Sequence, residues 1–260
     1  MKDAYIIDAI RTPIGNFGGT LAPVRADDLA AHVLAELLKK VPNLDPGAIE
    51  DVIMGCANQA GEDNRNVARM ALLLAGYPIS VGGETVNRLC ASGMSAAVNA
   101  ARAIQVGAGD IYVAGGVEHM TRGPWVLSKS STPFGRDQQL YDSSFGWRFI
   151  NPKMEAIYGV DSMGMTAENL AEKFQISRED QDAFACWSQE KTAKATASGY
   201  FEGEITPVSI PQRKGEPLIV SKDEFARPTT TIESLAGLRP AFKKDGTVTA
   251  GNASGLNDGA

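Results

Sequence analysis

The sequence has few of the residues that cross-link a chain or bind a metal. Among its 260 residues there are three cysteines and two histidines. Because Cys56, Cys90 and Cys186 are far apart, odd in number and form no CxxC pair or zinc spacing, they indicate neither a disulfide framework nor a metal site. We therefore expect no metal. The same pattern is typical of a reducing compartment, which predicts a cytoplasmic protein.

The sequence also lacks long apolar runs and clusters of basic residues. No stretch approaches the length that spans a membrane, and Lys2, Asp3 and Asp8 lie where a signal peptide would be apolar. The net charge is −6 and the basic residues are dispersed, which argues against nucleic acid as a partner. No P-loop or GxGxxG fingerprint is present. We expect neither a membrane nor a nucleic acid among the partners.

What the chain has is an ordinary globular composition and an alternating pattern. Hydrophobic residues make up 43% and charged residues 22%, which predicts a sizeable core. Strands are predicted over residues 4–9, 51–56, 80–87 and 111–117, and helices over 28–40, over 66–74 and after Cys90. Short apolar strands that alternate with helices predict a layered α/β unit with mainly parallel strands.

The pattern changes near residue 120. Residues 121–151 are rich in Gly, Pro, Ser and aromatic residues and show no sustained period, which is typical of a functional cover or an assembly element. Two helices are predicted next, over residues 166–174 and from Ser177 to the residues before Gly199. Residues 205–220 predict a short extended pair, and residues 246–259 a tight turn system.

Cys90 is the most informative single residue. It lies between an extended segment and a helical run that includes Met94, Ala97 and Ala101. A thiol at a helix N-terminus lies in the positive field of the helix dipole, which favours the nucleophilic thiolate. The alternative is a buried free cysteine with no reactivity. The local sequence alone leaves both interpretations open.

Four motifs carry a resemblance to a known family. They are DAIRTPIG at 8–15, NRLCASG at 87–93, AGGVE at 114–118 and TAGNASGLNDGA at 249–260. In this order and spacing they resemble the thiolases, the acyl-CoA acetyltransferases, along the whole chain. Three further stretches, at 24–31, 55–66 and 146–152, are most similar to the 3-oxoadipyl-CoA thiolases.

The resemblance implies a layered α-β-α core with an inserted loop domain. Residues 1–120 would form the N-terminal core, residues 121–249 the loop domain that binds coenzyme A and supports assembly, and residues 250–260 a return to the first core. The family's C-terminal core repeat has no counterpart, so the chain is expected to be truncated before it. The family's catalytic histidine, second cysteine and oxyanion-hole asparagine would lie in that absent half.

The resemblance also implies an activity. An acyltransferase would cleave a 3-oxoacyl-CoA, here 3-oxoadipyl-CoA, with coenzyme A through an acyl-enzyme on Cys90, with the Cys90 N–H as an oxyanion donor. Coenzyme A would be a substrate, and no prosthetic group is expected. The resemblance also implies a role in the degradation of aromatic compounds by beta-oxidation-type chemistry. It further implies assembly into a homodimer or tetramer. Two alternatives stay open: acetyl-CoA acetyltransferase, and a silent fragment that binds coenzyme A or dimerises.

Five residues match the family's ligand contacts. The resemblance implies that Arg227 lies near the adenine nucleotide, Ser254 near the pantetheine arm and Met163 in the acyl pocket, with Ser234 and Ala250 as further coenzyme contacts. Without the motif, Ser254 would be a turn serine, Arg227 a solvated arginine and Met163 core filler. Ser162 replaces a histidine of many short-chain thiolases, which permits a larger or polar acyl group.

Only two histidines could act as a base on Cys90. His32 falls on the predicted 28–40 helix, where a surface or packing role is the simpler interpretation. His119 follows the predicted strand at 111–117. A role as the base stays an alternative for both residues, because the pKa of an imidazole suits proton transfer near neutral pH.

Overall fold

The computed structural model describes residues 2–260, which fall into two compact units. The first unit holds the chain up to Pro124 together with Gly203–Glu224 and Asn257–Ala260, and the second holds Trp125–Glu202 and Phe225–Leu256. The sequence instead predicted divisions after residues 120 and 249. Those domain bounds, 1–120, 121–249 and 250–260, stay a prediction.

The secondary structure is numbered in chain order. The helices are α1 (Ala26–Lys40), α2 (Val67–Leu74), α3 (Ser92–Val106), α4 (Pro152–Tyr158), α5 (Met163–Phe174), α6 (Arg178–Ala197) and α7 (Ile232–Ala236). The strands are β1 (Gly15–Asn16), β2 (Asp51–Gly55), β3 (Gly82–Val86), β4 (Tyr112–Gly116), β5 (Glu118–His119), β6 (Trp125–Leu127), β7 (Leu140–Asp142), β8 (Val208–Ile210), β9 (Leu218–Val220) and β10 (Asn257–Gly259).

The first unit is built on a parallel sheet in the order β3-β2-β4. Successive side chains of a strand point to opposite faces of the sheet. Val52 and Met54 accordingly pack in one core with residues of α1 and α2, while Ile53 packs with Ala96 and Ala100 of α3. Helices therefore cover both faces, and the predicted layered α-β-α arrangement is confirmed.

The predicted strand over residues 4–9 is wrong. This stretch belongs to no strand, and Tyr5, Ile6 and Ile7 are exposed. Apolar and β-branched residues favour extended structure, but a strand also needs a partner to receive its backbone hydrogen bonds. The sheet β3-β2-β4 does not include this segment.

A second, antiparallel sheet of the first unit has β10 at its centre, between β1 and β5. Asp258 of β10 is buried, and it accepts hydrogen bonds from the backbone N–H and the hydroxyl of Thr121. The predicted extended pair at 205–220 is confirmed as the antiparallel strands β8 and β9.

The second unit is mainly helical. Ser162 and Ser177 cap α5 and α6 by accepting hydrogen bonds from Met165 N and Asp180 N. The predicted helices at 166–174 and after Ser177 are therefore confirmed. The segment 121–151 was predicted without regular structure, but it contains the antiparallel hairpin β6–β7. Among residues 2–260, none of the helices has the length and apolar character needed to cross a membrane.

Candidate active site

Cys90 lies in a tight connection between β3 and α3. We call residues 87–92 the Cys90 turn. Ala91 N donates to Arg88 O at 3.1 Å and Ser92 N donates to Leu89 O at 3.0 Å. Leu89 has a φ of 51°, a left-handed conformation that costs a non-glycine residue about 1–2 kcal/mol. A strained residue therefore directly precedes the thiol.

The Ser92 hydroxyl closes the Cys90 turn. It accepts a hydrogen bond from Arg88 N at 2.8 Å and donates one to Leu89 O at 2.6 Å. Asn87 contributes at the other end, since its side chain accepts from Leu89 N at 2.9 Å and donates to Ala57 O at 3.0 Å. Most of these bonds join residues within four positions of each other.

The start of α3 lies directly on the end of β2. A side-chain carbon added to Gly55 would collide with the backbone of Ser92 and Gly93. Backbone atoms cannot rotate away as a flexible side chain can. Glycine at position 55 is therefore a condition for placing α3, and Cys90 with it.

The three cysteines differ in exposure. Cys90 is exposed, while Cys56 and Cys186 are buried. Burial raises the pKa of Cys56 far above its ordinary value, with Glu118 and Asp63 adding to the effect, and burial also raises the pKa of Cys186. The prediction that Cys90 precedes a helix is confirmed, and the alternative of buried packing is wrong for this residue.

Cys56, Asp63 and Glu118 could in principle hold a metal, because their ligand atoms lie within 4.8 Å of one another. The two carboxylates are used by the backbone. Glu118 accepts from Ala57 N at 2.9 Å and Asn58 N at 3.0 Å, and Asp63 accepts from Gly61 N at 2.9 Å. Both carboxylates therefore have a structural role, because they accept hydrogen bonds from backbone N–H groups of the loops.

Neither histidine is hydrogen-bonded to Cys90 over residues 2–260. His119 is buried, with Nε2 3.2 Å from Leu21 O and Nδ1 3.3 Å from Asp258 Oδ1. His32 has Nε2 3.5 Å from Thr206 Oγ1, and burial lowers its pKa. Both rings have other partners, which favours the packing interpretation over a role as the base.

The five residues that match ligand contacts all lie in the second unit, and all are exposed: Arg227, Ser234, Ala250, Ser254 and Met163. The core-filler alternative for Met163 is therefore wrong. Arg227 N donates to the side chain of Gln189 at 2.8 Å. Ser234 has a structural task as well, since its hydroxyl accepts from Thr231 N at 3.0 Å in the capping box of α7.

Ala250 and Ser254 belong to one irregular segment, residues 247–254, which we call the coenzyme turn after the contacts that the sequence predicts for these two residues. Thr249 N donates to Asn252 Oδ1 at 2.7 Å, and Ala253 N donates to Thr249 O at 3.1 Å. Two buried carboxylates, Glu168 of α5 and Asp182 of α6, also hydrogen-bond to this segment. The sequence interpretation missed both, because nothing local distinguishes them from surface acids of an amphipathic helix.

Known proteins provide an independent comparison. The family model described as "Thiolase, N-terminal domain" matches residues 4–260. A beta-ketoadipyl-CoA thiolase of Acinetobacter baylyi is 58% identical over 260 residues, and a 3-oxoadipyl-CoA/3-oxo-5,6-dehydrosuberyl-CoA thiolase of Escherichia coli is 57% identical. Each alignment covers 100% of this chain and 65% of the relative. The chain thus spans slightly less than two thirds of the length of these relatives.

A solved structure agrees with these sequences. The crystal structure of the Bacillus anthracis acetyl-CoA acetyltransferase matches with a TM-score of 0.89 at 43% sequence identity. The match covers 100% of this chain and 64% of that chain.

Proposed function

The chain belongs to the thiolase family, and on that premise we propose that it carries the nucleophile of an acyltransferase, Cys90. The observation that supports this most is the exposed thiol directly before the N-terminus of a 15-residue helix. Nucleophilic cysteines are typically found at such partly exposed positions near helix N-termini. Of the three cysteines, this is the one that a substrate can reach.

In the proposed reaction the Cys90 thiolate attacks the 3-oxo carbon of a 3-oxoacyl-CoA. The bond between the α and β carbons then breaks and its electron pair goes to the α carbon. That carbon takes up a proton equivalent to the one that the Cys90 thiol lost, which releases acetyl-CoA. The acyl group stays on Cys90 as a thioester, and coenzyme A takes it in the second half-reaction. Coenzyme A is thus a substrate, and the scheme needs no prosthetic group.

We assign the Cys90 N–H as one donor to the oxyanion that forms during attack. The next two N–H groups, of Ala91 and Ser92, are already bonded to Arg88 O and Leu89 O. They are therefore not free to turn toward a substrate. A preorganised donor at this position would stabilise the developing charge in the transition state.

The proposed acyl substrate is 3-oxoadipyl-CoA, which would leave a succinyl group on Cys90. Relatives with this substrate in their names are 56–58% identical, whereas a probable acetyl-CoA acyltransferase of Staphylococcus epidermidis is 46% identical. A second candidate is acetyl-CoA acetyltransferase, because the solved Bacillus anthracis enzyme of that name is 43% identical to this chain.

We further propose that Arg227, Ser234, Ala250, Ser254 and Met163 contact the coenzyme and acyl groups. Their common exposure in the second unit supports this role. We also propose assembly into a homodimer or tetramer. Exposed aromatic residues between 125 and 149, among them Trp125, Phe134 and Trp147, support such an assembly.

A thiolysis assay tests the proposal. The purified chain would be mixed with coenzyme A and either 3-oxoadipyl-CoA or acetoacetyl-CoA, and acetyl-CoA formation would be followed by chromatography. We expect turnover with the first substrate at the higher kcat/KM and none in the Cys90→Ala variant. A preference for acetoacetyl-CoA would favour the second candidate. Binding of coenzyme A without any turnover would favour the silent fragment.

A further inference from the structure

The coenzyme turn has little regular structure of its own to hold its shape. Val248 and Thr249 are buried, whereas Ala250 and Ser254 are exposed. Two side chains make its internal hydrogen bonds. Thr249 Oγ1 accepts from Gly251 N at 3.2 Å and from Asn252 N at 3.3 Å, and Asn252 accepts from Thr249 N at 2.7 Å and donates to Thr247 O at 3.2 Å. Further support comes from Ala241 N, which donates to Val248 O at 2.9 Å, and from α5 and α6.

Glu168 of α5 binds the start of the turn through its carboxylate. Oε1 accepts from Val248 N at 2.8 Å, and both oxygens lie 3.0 Å from Thr247 N. The residue is 4% exposed. Burial alone would raise the pKa of Glu168, but the hydrogen bonds from Thr247 N and Val248 N outweigh it and hold the pKa below its ordinary value.

Asp182 of α6 binds the middle of the turn. Oδ1 accepts from Asn252 Nδ2 at 2.9 Å and Oδ2 accepts from Arg178 Nε at 2.7 Å, and the residue is 2% exposed. Arg178 continues the network, since Nη2 donates to Leu235 O at 2.6 Å. The same Asn252 side chain accepts from Thr249 N, so it transmits the position of Asp182 to the turn.

Burial of a charge is unfavourable unless the charge is fully paired. Two buried carboxylates are therefore an unusual means of stabilising a loop. Here both carboxylates are directed at one segment of eight residues, and that segment exposes Ala250 and Ser254. We propose that Glu168 and Asp182 are positioning residues that hold the coenzyme turn in the conformation that binds coenzyme A. This inference rests on the proposed contacts of Ala250 and Ser254.

The first test uses the unmodified protein. Hydrogen exchange resolved to single amides would compare Thr247, Val248 and Thr249 with the central amides of α6. If the carboxylates hold the turn, these three amides exchange as slowly as the helix, although they lie outside any helix or strand. Exchange at the rate of an exposed loop would overturn the proposal without any variant.

The second test reverses the Asp182–Asn252 pair. Both oxygens of Asp182 accept hydrogen bonds. In Asp182→Asn the new amino group therefore faces a donor, and in Asn252→Asp two carboxylates face each other. We expect each single variant to weaken coenzyme A binding by about tenfold in calorimetry, the effect of a lost buried hydrogen bond. The double variant restores the donor–acceptor pair between the two positions, but the new carboxylate at position 252 cannot donate to Thr247 O, which Asn252 Nδ2 binds at 3.2 Å. We therefore expect an affinity between those of the single variants and the unmodified protein.

The matched control is Glu172→Gln, which removes a carboxylate of the same helix α5 that is exposed and paired with Lys243. Affinity, exchange rates and the alkylation rate of Cys90 should stay unchanged in this control. The alkylation rate should also stay unchanged in the two single variants. Equal affinity in the single variants and the unmodified protein would overturn the positioning role alone. No binding of coenzyme A to the unmodified protein would overturn the proposed function, and this inference with it.

Discussion

The Cys90 turn and the coenzyme turn are both short connections beside a helix, yet different contacts hold them. In the Cys90 turn, three side-chain hydrogen bonds of Ser92 and Asn87 span two to four residues, and one reaches Ala57 O. Leu89 adopts a strained φ. In the coenzyme turn, Glu168 and Asp182 reach across 70 to 80 residues. The Cys90 turn is thus held mainly by short-range bonds, whereas the coenzyme turn is also anchored by distant helices.

The difference is consistent with the two proposed tasks. A nucleophile has to be exposed, so few buried neighbours are available to fix it, and short-range bonds do this instead. A turn that recognises a ligand gains affinity when its shape is fixed before binding. Buried carboxylates fix such a shape, because a buried donor that loses its carboxylate finds no water to replace it.

The largest expected effect is a loss of turnover without a loss of coenzyme A affinity, and it comes from a substitution in the Cys90 turn. Cys90→Ala removes the proposed nucleophile, and we expect acetyl-CoA formation to fall by at least about 10⁴-fold, as when other covalent catalysts lose their nucleophile. The affinity for coenzyme A should not change, because Cys90 is not among the proposed coenzyme contacts. The assay is thiolysis combined with calorimetry. Retained turnover would contradict the assignment of Cys90.

The next effect is on the position of the Cys90 turn. Gly55→Ala inserts a carbon against the backbone of Ser92 and Gly93, and we expect a loss of about 3 kcal/mol in the free energy of unfolding. Gly115→Ala in the neighbouring strand is the control, since nothing lies within 4 Å of the added carbon. Urea unfolding checks both variants. Equal midpoints would show that the close approach of Gly55 to the start of α3 does not limit stability.

A smaller effect comes from removing one hydroxyl from each turn. Ser92→Ala leaves Arg88 N without its acceptor, and Thr249→Val does the same for Gly251 N and Asn252 N. Each loss should cost about 1–3 kcal/mol of stability. We expect Ser92→Ala to change the alkylation rate of Cys90 and Thr249→Val to change coenzyme A affinity. A change of both properties in both variants would mean that the turns are not independent.

The smallest effect is a difference in acid sensitivity. The folded pKa of Glu168 is lowered, so its stabilising contribution is complete above the ordinary glutamate value of 4.5 and is lost as the pH falls through the folded pKa. The coenzyme turn should therefore lose order in acid before the Cys90 turn, in whose described hydrogen bonds no carboxylate takes part. Amide NMR between pH 6 and pH 3 would measure this, and Glu168→Gln should remove the difference.

The same contrast explains what could be predicted from the sequence. The Cys90 turn could be predicted because its strand, cysteine and helix are neighbours in the chain. The anchoring of the coenzyme turn could not, because Glu168 and Asp182 are distant in sequence from their partners in the turn, and only the packing of α5 and α6 reveals their tasks. The strand predicted over residues 4–9 was wrong for a related reason, since its pairing depends on distant residues that local propensity does not report.

The most direct test of the account is the site of acylation. The protein would be mixed with 3-oxoadipyl-CoA, quenched in acid and mapped by peptide mass spectrometry, with Cys90→Ala as the control. The account predicts a succinyl group on Cys90 and none on the buried Cys56 or Cys186. A succinyl group on another residue, or an unmodified Cys90 in folded protein that binds the substrate, would contradict it.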